Sequence, residues 1–454
     1  MVGSRRVTRR QFLLLIVPLL AVLLGFVAVG LLEDRGAGDG IFWDERLERY
    51  LRQSLAEDFV RGAGDEREAQ AAFFHAMNEY LRRFDRVHSL TPPWEVKETE
   101  QKNSGRYVGI GVRTEAVEEA GRIVRLRLNG IKPKGPADTA GLKIGESILA
   151  VEGTPIADLC TDGTIRGAVE VIQGEEKSSV RLRVSGPTGV EREVSLLRVR
   201  IPQGSVFGAR IVDPDKGIGY LHLSDFHADT GRDLREKMKM LRGQGMTALV
   251  LDLRGNRGGY LDQALSVAGA FLDSGVIVRV RKRGMTEVLS ARPDDTDGRD
   301  LPLALLVDRD SASSSEVLAG ALQDHRRAVL VGEPTFGKFS VQTIQRVTTA
   351  AGEALVKITT AVYETPSGHF YPRESEERAS RESVDPLAGL RPDLFVPLTK
   401  AERDVLAEVF DNEPLADWNL ERPPVHPEFI DRQLLAAVAL LRGETVTPEL
   451  VRDP

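Results

Sequence analysis

At 454 residues the chain is roughly two to four times the size of a typical domain, so several modules and at least one sizeable core are expected. Hydrophobic content of 41%, charged content of 28% and 23 prolines are ordinary globular values and exclude a largely disordered or fibrous protein. A formal net charge of −7, with basic residues scattered except at the extreme N-terminus, offers no field for nucleic acid, and a single cysteine, Cys160, excludes an intrachain disulfide or a thiol-rich metal site.

The first predicted element is a membrane span. Phe12 to Leu32 are 21 consecutive uncharged, mostly apolar residues. At about 1.5 Å per residue such a helix crosses a hydrocarbon core of about 30 Å. Arg5, Arg6, Arg9 and Arg10 precede it and Glu33 and Asp34 follow, so the positive-inside rule leaves the N-terminus in the cytoplasm and everything after residue 33 outside, in the periplasm or its equivalent. The run exceeds a signal-peptide core and no A-x-A site follows, which favours an uncleaved anchor, while Thr8 to Leu13 resembles a twin-arginine export signal. After a Gly/Asp-rich joint, Trp43, Leu47, Tyr50, Leu51, Leu55 and Phe59 recur at helical spacing, as do Phe73, Met77, Tyr80, Leu81 and Phe84.

Between Gly105 and Ile201 the pattern changes to short β-type runs, Val108–Val112, Ile123–Leu128, Ser147–Val151 and Val180–Val184. From Gly217 strand-like and helical runs alternate: Gly219–Leu223, a helix near Thr230–Arg242, Ala248–Leu253, a helix near Leu261–Leu272, Leu303–Val307, a helix near Ser314–His325, and Ala328–Gly332. Such alternation predicts a mainly parallel sheet flanked by helices. Ala401–Phe410 and Ile430–Leu441 return to helical spacing.

Three polar, glycine-containing segments fall just past strand ends, where open α/β sheets place their ligands. In L-D-L-R-G-N-R-G-G (Leu251 to Gly259) glycines let backbone N–H groups approach a developing anion. In S-A-S-S-S-E (Ser311 to Glu316) the spacing of Ser313 and Glu316 fits a capping box, and the helix start it marks also favours negative charge. G-E-P-T-F-G-K-F-S-V-Q (Gly332 to Gln342) places Lys338 and Gln342 four apart, on one face of a strand or a helix. Taken singly these are a turn, a cap and a surface pair. His325 lies twelve residues beyond Ser313 on the same predicted helix, about 18 Å away, which rules it out as a base for that serine. Asp213 to Gly217 lacks the remaining ligands of a calcium loop and reads as a turn.

In this order the three segments resemble those of the C-terminal processing peptidases, or tail-specific proteases, with D-L-R-x-N-x-G-G, S-A-S-A-S-E and T-F-G-K-x-x-x-Q. The resemblance implies a serine endopeptidase with Ser313 as nucleophile, Lys338 as general base and Gln342 orienting the lysine. It further implies an oxyanion site from the backbone N–H of Ser314 and of Gly258 or Gly259, and no cofactor or metal. Phe84 to Ser89, Tyr363 to Gly368 and Arg391 to Asp393 match the family's flanks; Ser314 and Arg257 depart from its usual alanine and proline. Tyr107 to Val112 (Y-V-G-I-G-V) and Gly135 to Glu146 are similar to the family's PDZ domain, which assigns substrate-tail binding to Tyr107, Val108, Gly109, Ile110 and Gly111.

The expected architecture is multi-domain α+β: residues 1–40 as cytoplasmic tip, transmembrane anchor and joint, 41–104 helical, 105–202 a β-rich PDZ domain, 203–400 an α/β protease core, and 401–454 helical. Residues 373–385, rich in Glu, Arg and Ser, are expected as a solvated insert. The partners implied are protein or peptide substrates with free C-termini and the membrane through residues 12–32; homo-oligomerisation is left open. The competing reading is a catalytically silent, membrane-tethered PDZ scaffold.

Overall fold

The computed structural model of the chain describes residues 66–82, 88–292, 298–349, 351–369, 389–418 and 428–446. The predicted span at residues 12–32, the first amphipathic helix and the insert at 373–385 lie outside the described residues; among those described, no helix is long and apolar enough to cross a membrane. The chain divides into two compact units, Met1–Ala72 and Phe73–Pro454.

The helix Glu66–Arg82 sets Phe74 against Leu90 of β1 (Ser89–Thr91) and against Trp94, which opens the next helix, Pro93–Ser104. A β-rich domain follows, made of β2 (Arg106–Gly109), β3 (Val112–Glu119), β4 (Arg122–Ile131), β5 (Ser147–Val151), β6 (Thr154–Pro155), β7 (Ser179–Ser185), β8 (Glu191–Leu197) and β9 (Val199–Pro202). Its antiparallel sheet runs β3-β4-β5-β7-β8, and β2 pairs separately with β9. β7 alternates strictly, Val180, Leu182 and Val184 inward, the period-2 signature of a half-buried strand. Those side chains meet Leu126, Leu128, Ile148 and Ala168 in one core. The expected strand Val108–Val112 is broken at Ile110–Gly111, because Gly111 adopts φ +72° and the loop is held by Ala137 N–H to Ile110 O and Lys132 N–H to Gly111 O. β3 therefore starts afresh at the sheet edge, with its outer side unpaired within the sheet.

The second sheet contains β10 (Val206–Asp213), β11 (Ile218–Leu223) and β12 (Ala248–Asp252). β13 (Val276–Lys282) and β14 (Met285–Ser290) leave it, and β15 (Leu303–Val307) and β16 (Val329–Gly332) return to it. β17 (Ser340–Thr349), β18 (Gly352–Glu364) and β19 (Leu394–Phe395) complete the strands. The order is β10-β11-β12-β15-β16-β19, parallel from β11 onward. Every residue of β11, β12 and β15 is buried, as expected of parallel strands covered on both faces. One face packs on Leu234, Met238 and Leu241 of helix Thr230–Gly243 and on helices Leu261–Gly269 and Ser314–Asp324; the other on Ala436 and Ala437 of helix Arg432–Arg442.

The expectation of a mainly parallel core is thus half of the answer. β1, β13, β14, β17 and β18 form a second, antiparallel sheet, to which Phe339, Ala361 and Tyr363 bring their share of the same core. Lys338 consequently lies in the loop before β17 while Gln342 lies on β17 itself, beyond a register shift between Val341 and Gln342, so the two do not share the face of one regular element.

Candidate active site

β12 ends at Asp252 and the chain turns through the glycine loop that faces the start of helix Ser314–Asp324. Asn256 fastens the two together: its carbonyl accepts from Ala312 N–H (3.0 Å) and Ser315 Oγ (2.9 Å), and its side-chain amide donates to Leu223 O (2.7 Å). Gly258, at φ +102°, lies so close that an added Cβ would come within 2.8 Å of Ser313 Cβ and 3.0 Å of Ser314 N. Only glycine fits there. Its own N–H donates to Asn256 Oδ1 (2.8 Å), so of the two expected glycine donors Gly258 can serve an oxyanion only by exchanging that bond. Gly259, at φ +140°, is exposed, and the Ser314 hydroxyl donates to its carbonyl (2.9 Å).

The loop is supported from below. Arg254, fully buried, directs its guanidinium to Asp252, Asp431 (2.7 Å) and Gln433 (3.0 Å), while His222 contacts Arg254 O through Nε2 (3.2 Å) and Glu413 through Nδ1. Burial alone lowers the His222 pKa, yet the Glu413 carboxylate outweighs it and the imidazole is raised. Asp308, at the end of β15, accepts from Gly255 N–H (3.1 Å) and from Asp310 and Ser311 N–H (3.0 Å each), and burial pushes its carboxyl up to about 6.

Ser313 is half-buried at the cap position of its helix with φ 57° and ψ −115°. For a residue with a Cβ that conformation is strained, by a cost on the order of 1–3 kcal/mol, and it persists only where the surroundings over-determine it. The expected capping partner is present: the Glu316 carboxylate takes the Ser313 N–H (2.8 Å). The Glu316 N–H donates to the Ser313 carbonyl (2.8 Å) and also faces the Ser313 side chain in the reciprocal arrangement of a capping box.

Glu316 does more than cap. It is fully buried, and its Oε2 also accepts Lys338 N–H (2.9 Å), while Oε1 accepts Thr335 Oγ–H (2.7 Å) and Gly337 N–H (2.6 Å). The backbone N–H groups of Ser313 and Lys338 therefore meet on one oxygen of a carboxylate whose spacing in the sequence is that of a helix cap. The Tyr363 phenol, on β18, reaches Ser313 O (3.0 Å), Glu316 Oε2 (3.3 Å) and Lys338 O; burial, then the charge of Glu316, raise it well above its ordinary range. Lys338 and Gln342 are half-buried, and the Gln342 amide donates to Ser340 Oγ (2.9 Å) and Thr359 Oγ1 (3.4 Å). His325 caps the far end of the helix and contacts Val276 O (2.7 Å), away from Ser313 as expected.

In the β-rich domain Gly109, Ile110 and Gly111 are buried and Tyr107 and Val108 are partly so; burial pushes the Tyr107 phenol up to about 12. Tyr107 and Val108 line a cavity of about 580 Å³ together with Arg106, Arg200, Ile344, Leu355 and Tyr260, the residue that follows Gly259.

A serine at a strained helix start, opposite a glycine loop and beside a lysine loop, on an α/β core carrying a small β-rich domain, defines the architecture of a PDZ-bearing serine peptidase. Comparison agrees: residues 217–376 match peptidase family S41 and residues 127–185 match a PDZ domain. The carboxyl-terminal-processing protease of Synechocystis sp. is 32% identical over 334 residues, 72% of this chain and 74% of that one. The chloroplastic carboxyl-terminal-processing peptidase 2 of Arabidopsis thaliana is 38% identical over 247 residues, 52% of this chain and 45% of that one, so the chain spans under half the length of this relative. The solved photosystem II D1 C-terminal processing protease aligns at 25% identity and a TM-score of 0.40, covering 77% of this chain and 92% of that one. The chain belongs to the carboxyl-terminal-processing proteases, serine peptidases of family S41.

Proposed function

We propose that this chain is a membrane-anchored endopeptidase that cleaves proteins near their C-termini outside the cytoplasm, with Ser313 as nucleophile and Lys338 as general base. The observation that carries the reading is the meeting of the Ser313 and Lys338 backbones on one oxygen of Glu316. As Ser313 Oγ forms its bond to the scissile carbonyl carbon, neutral Lys338 takes the hydroxyl proton and returns it to the leaving amine; water then hydrolyses the acyl-enzyme. Gln342 has the role of orienting the lysine amine; its own amide nitrogen is held by Ser340 and Thr359, which leaves Oε1 to serve as the acceptor. Ser314 N–H, at the positive end of its helix, stabilises the oxyanion.

Tail recognition rests on the Tyr107–Gly111 loop at the head of edge strand β3, where a peptide adds as a further strand and its carboxylate meets backbone N–H groups. Tyr107 and Val108 open on the same cavity as Tyr260, which supports a short path from tail to scissile bond. Anchoring and the extracytoplasmic location rest on the apolar run at residues 12–32 and its flanking arginines.

The test is a proteomic comparison of C-termini in cells that carry the wild type or Ser313→Ala. New C-termini that depend on the Ser313 hydroxyl are expected. Identical C-termini in both would leave only the tethered scaffold.

A further inference from the structure

We propose that Glu316 is a positioning residue for catalysis, a buried carboxylate that sets the separation of nucleophile and base; the inference rests on the Ser313–Lys338 reading above. A capping box needs one contact from a carboxylate at this position. Glu316 makes five: Thr335 Oγ–H and Gly337 N–H on Oε1, and Ser313 N–H, Lys338 N–H and the Tyr363 hydroxyl (3.3 Å) on Oε2. Thr335 Oγ itself accepts Leu390 N–H (2.7 Å), so its only proton is directed at Glu316.

The donors from Thr335, Gly337, Ser313 and Lys338 favour the ionised carboxylate, which accepts only. Burial pushes the Glu316 pKa upward while the hydrogen bonds from Thr335, Gly337, Ser313 and Lys338 oppose that rise. A fully buried charge is costly unless every lone pair is met, and a helix cap alone gives no reason to bury one.

The geometry supplies the reason. Ser313 and Lys338 belong to different loops, one ahead of helix Ser314–Asp324 and one ahead of β17. Their nitrogens donate to the same oxygen at 2.8 and 2.9 Å, so they can be no further apart than those two lengths end to end. The Tyr363 hydroxyl lies against the carbonyls of the same two residues and can give its one proton to either. The N–H groups of nucleophile and base are thus fixed by one carboxylate, and the strained backbone of Ser313 is held in place.

The experiment uses the full chain and a peptide substrate with a free C-terminus. The variants are Glu316→Gln and Tyr363→Phe, with Ser313→Ala and Lys338→Ala as references. Glutamine keeps the size but turns an amide NH₂ toward N–H donors, and kcat is expected to fall about 100-fold with KM within about twofold, the pattern of misplaced reacting groups. Tyr363→Phe keeps the ring on Phe339 and removes only the hydroxyl, with an expected loss in kcat of about tenfold; it decides the matter if Glu316→Gln does not fold. Folded variants with kcat within twofold of wild type, or a loss confined to KM, overturn the proposal. If these variants are active and Lys338→Ala is dead, the positioning role alone falls; if Lys338→Ala turns over normally, the Ser–Lys reading and this proposal fall together.

Discussion

Replacing Ser313 by glycine should inactivate the enzyme and leave it more stable than the equally inactive Ser313→Ala. Ser313 holds φ 57° and ψ −115°, where a Cβ costs on the order of 1–3 kcal/mol. Glycine removes that cost but adds freedom to the unfolded chain, worth about 0.5–1 kcal/mol in the other direction. Both variants lose the hydroxyl of the capping box, so the comparison between them isolates the strain. Ser313→Ala keeps the Cβ and the strained backbone, leaving Ser313→Gly more stable than Ser313→Ala by about 1 kcal/mol. Urea denaturation of the two inactive variants reads this as a higher midpoint at unchanged slope. A Ser313→Gly variant less stable than Ser313→Ala would refute the claim that the nucleophile is strained in the native state.

Amidating a substrate's C-terminal carboxylate should weaken its binding by tenfold or more, on the order of 1.4 kcal/mol, if the Tyr107–Gly111 loop reads that charge; equal affinity of free-acid and amidated tails in a titration rejects the assignment. Asp308, raised to about 6, binds its proton more tightly folded than unfolded, so its contribution to stability is fully present below about pH 4 and is lost as pH rises through 6. Asp308→Asn should remove that dependence, a difference on the order of 2–3 kcal/mol between pH 4 and 7; denaturation curves at the two pH values that change by the same amount in both proteins would show that Asp308 does not titrate there.

The parallel strands were legible because burial on both faces demands uninterrupted apolar runs, which is why Leu303–Val307 is matched residue for residue. β17 and β18 were not, since SVQTIQRVTT and much of GEALVKITTAVYE lie half-exposed and carry no strong alternation. That gap misplaced Lys338 and Gln342 on a common face. The order of glycine, serine and lysine segments carries the family resemblance, yet Glu316 reads as a cap in sequence because its spacing is the same whether exposed or buried. Thr335, Gly337 and Lys338, supplied by another loop, and Tyr363 of β18 distinguish the two. Tyr363 and Arg254 follow the same rule: the partners that give them meaning, Ser313 for one and Asp431 for the other, are distant in sequence.

In the proposed mechanism Lys338 works as a neutral base. A lysine near its reference pKa of about 10.4 is charged at neutral pH and cannot accept the Ser313 proton, whereas arginine keeps its charge at every accessible pH. The direct measurement is the turnover of Lys338→Arg on a peptide substrate beside that of the wild type. Loss of turnover to below about one part in a thousand, with the folded state intact, is the predicted result. Near-normal turnover would contradict the account, because a permanent guanidinium cannot take the proton that the mechanism assigns to Lys338.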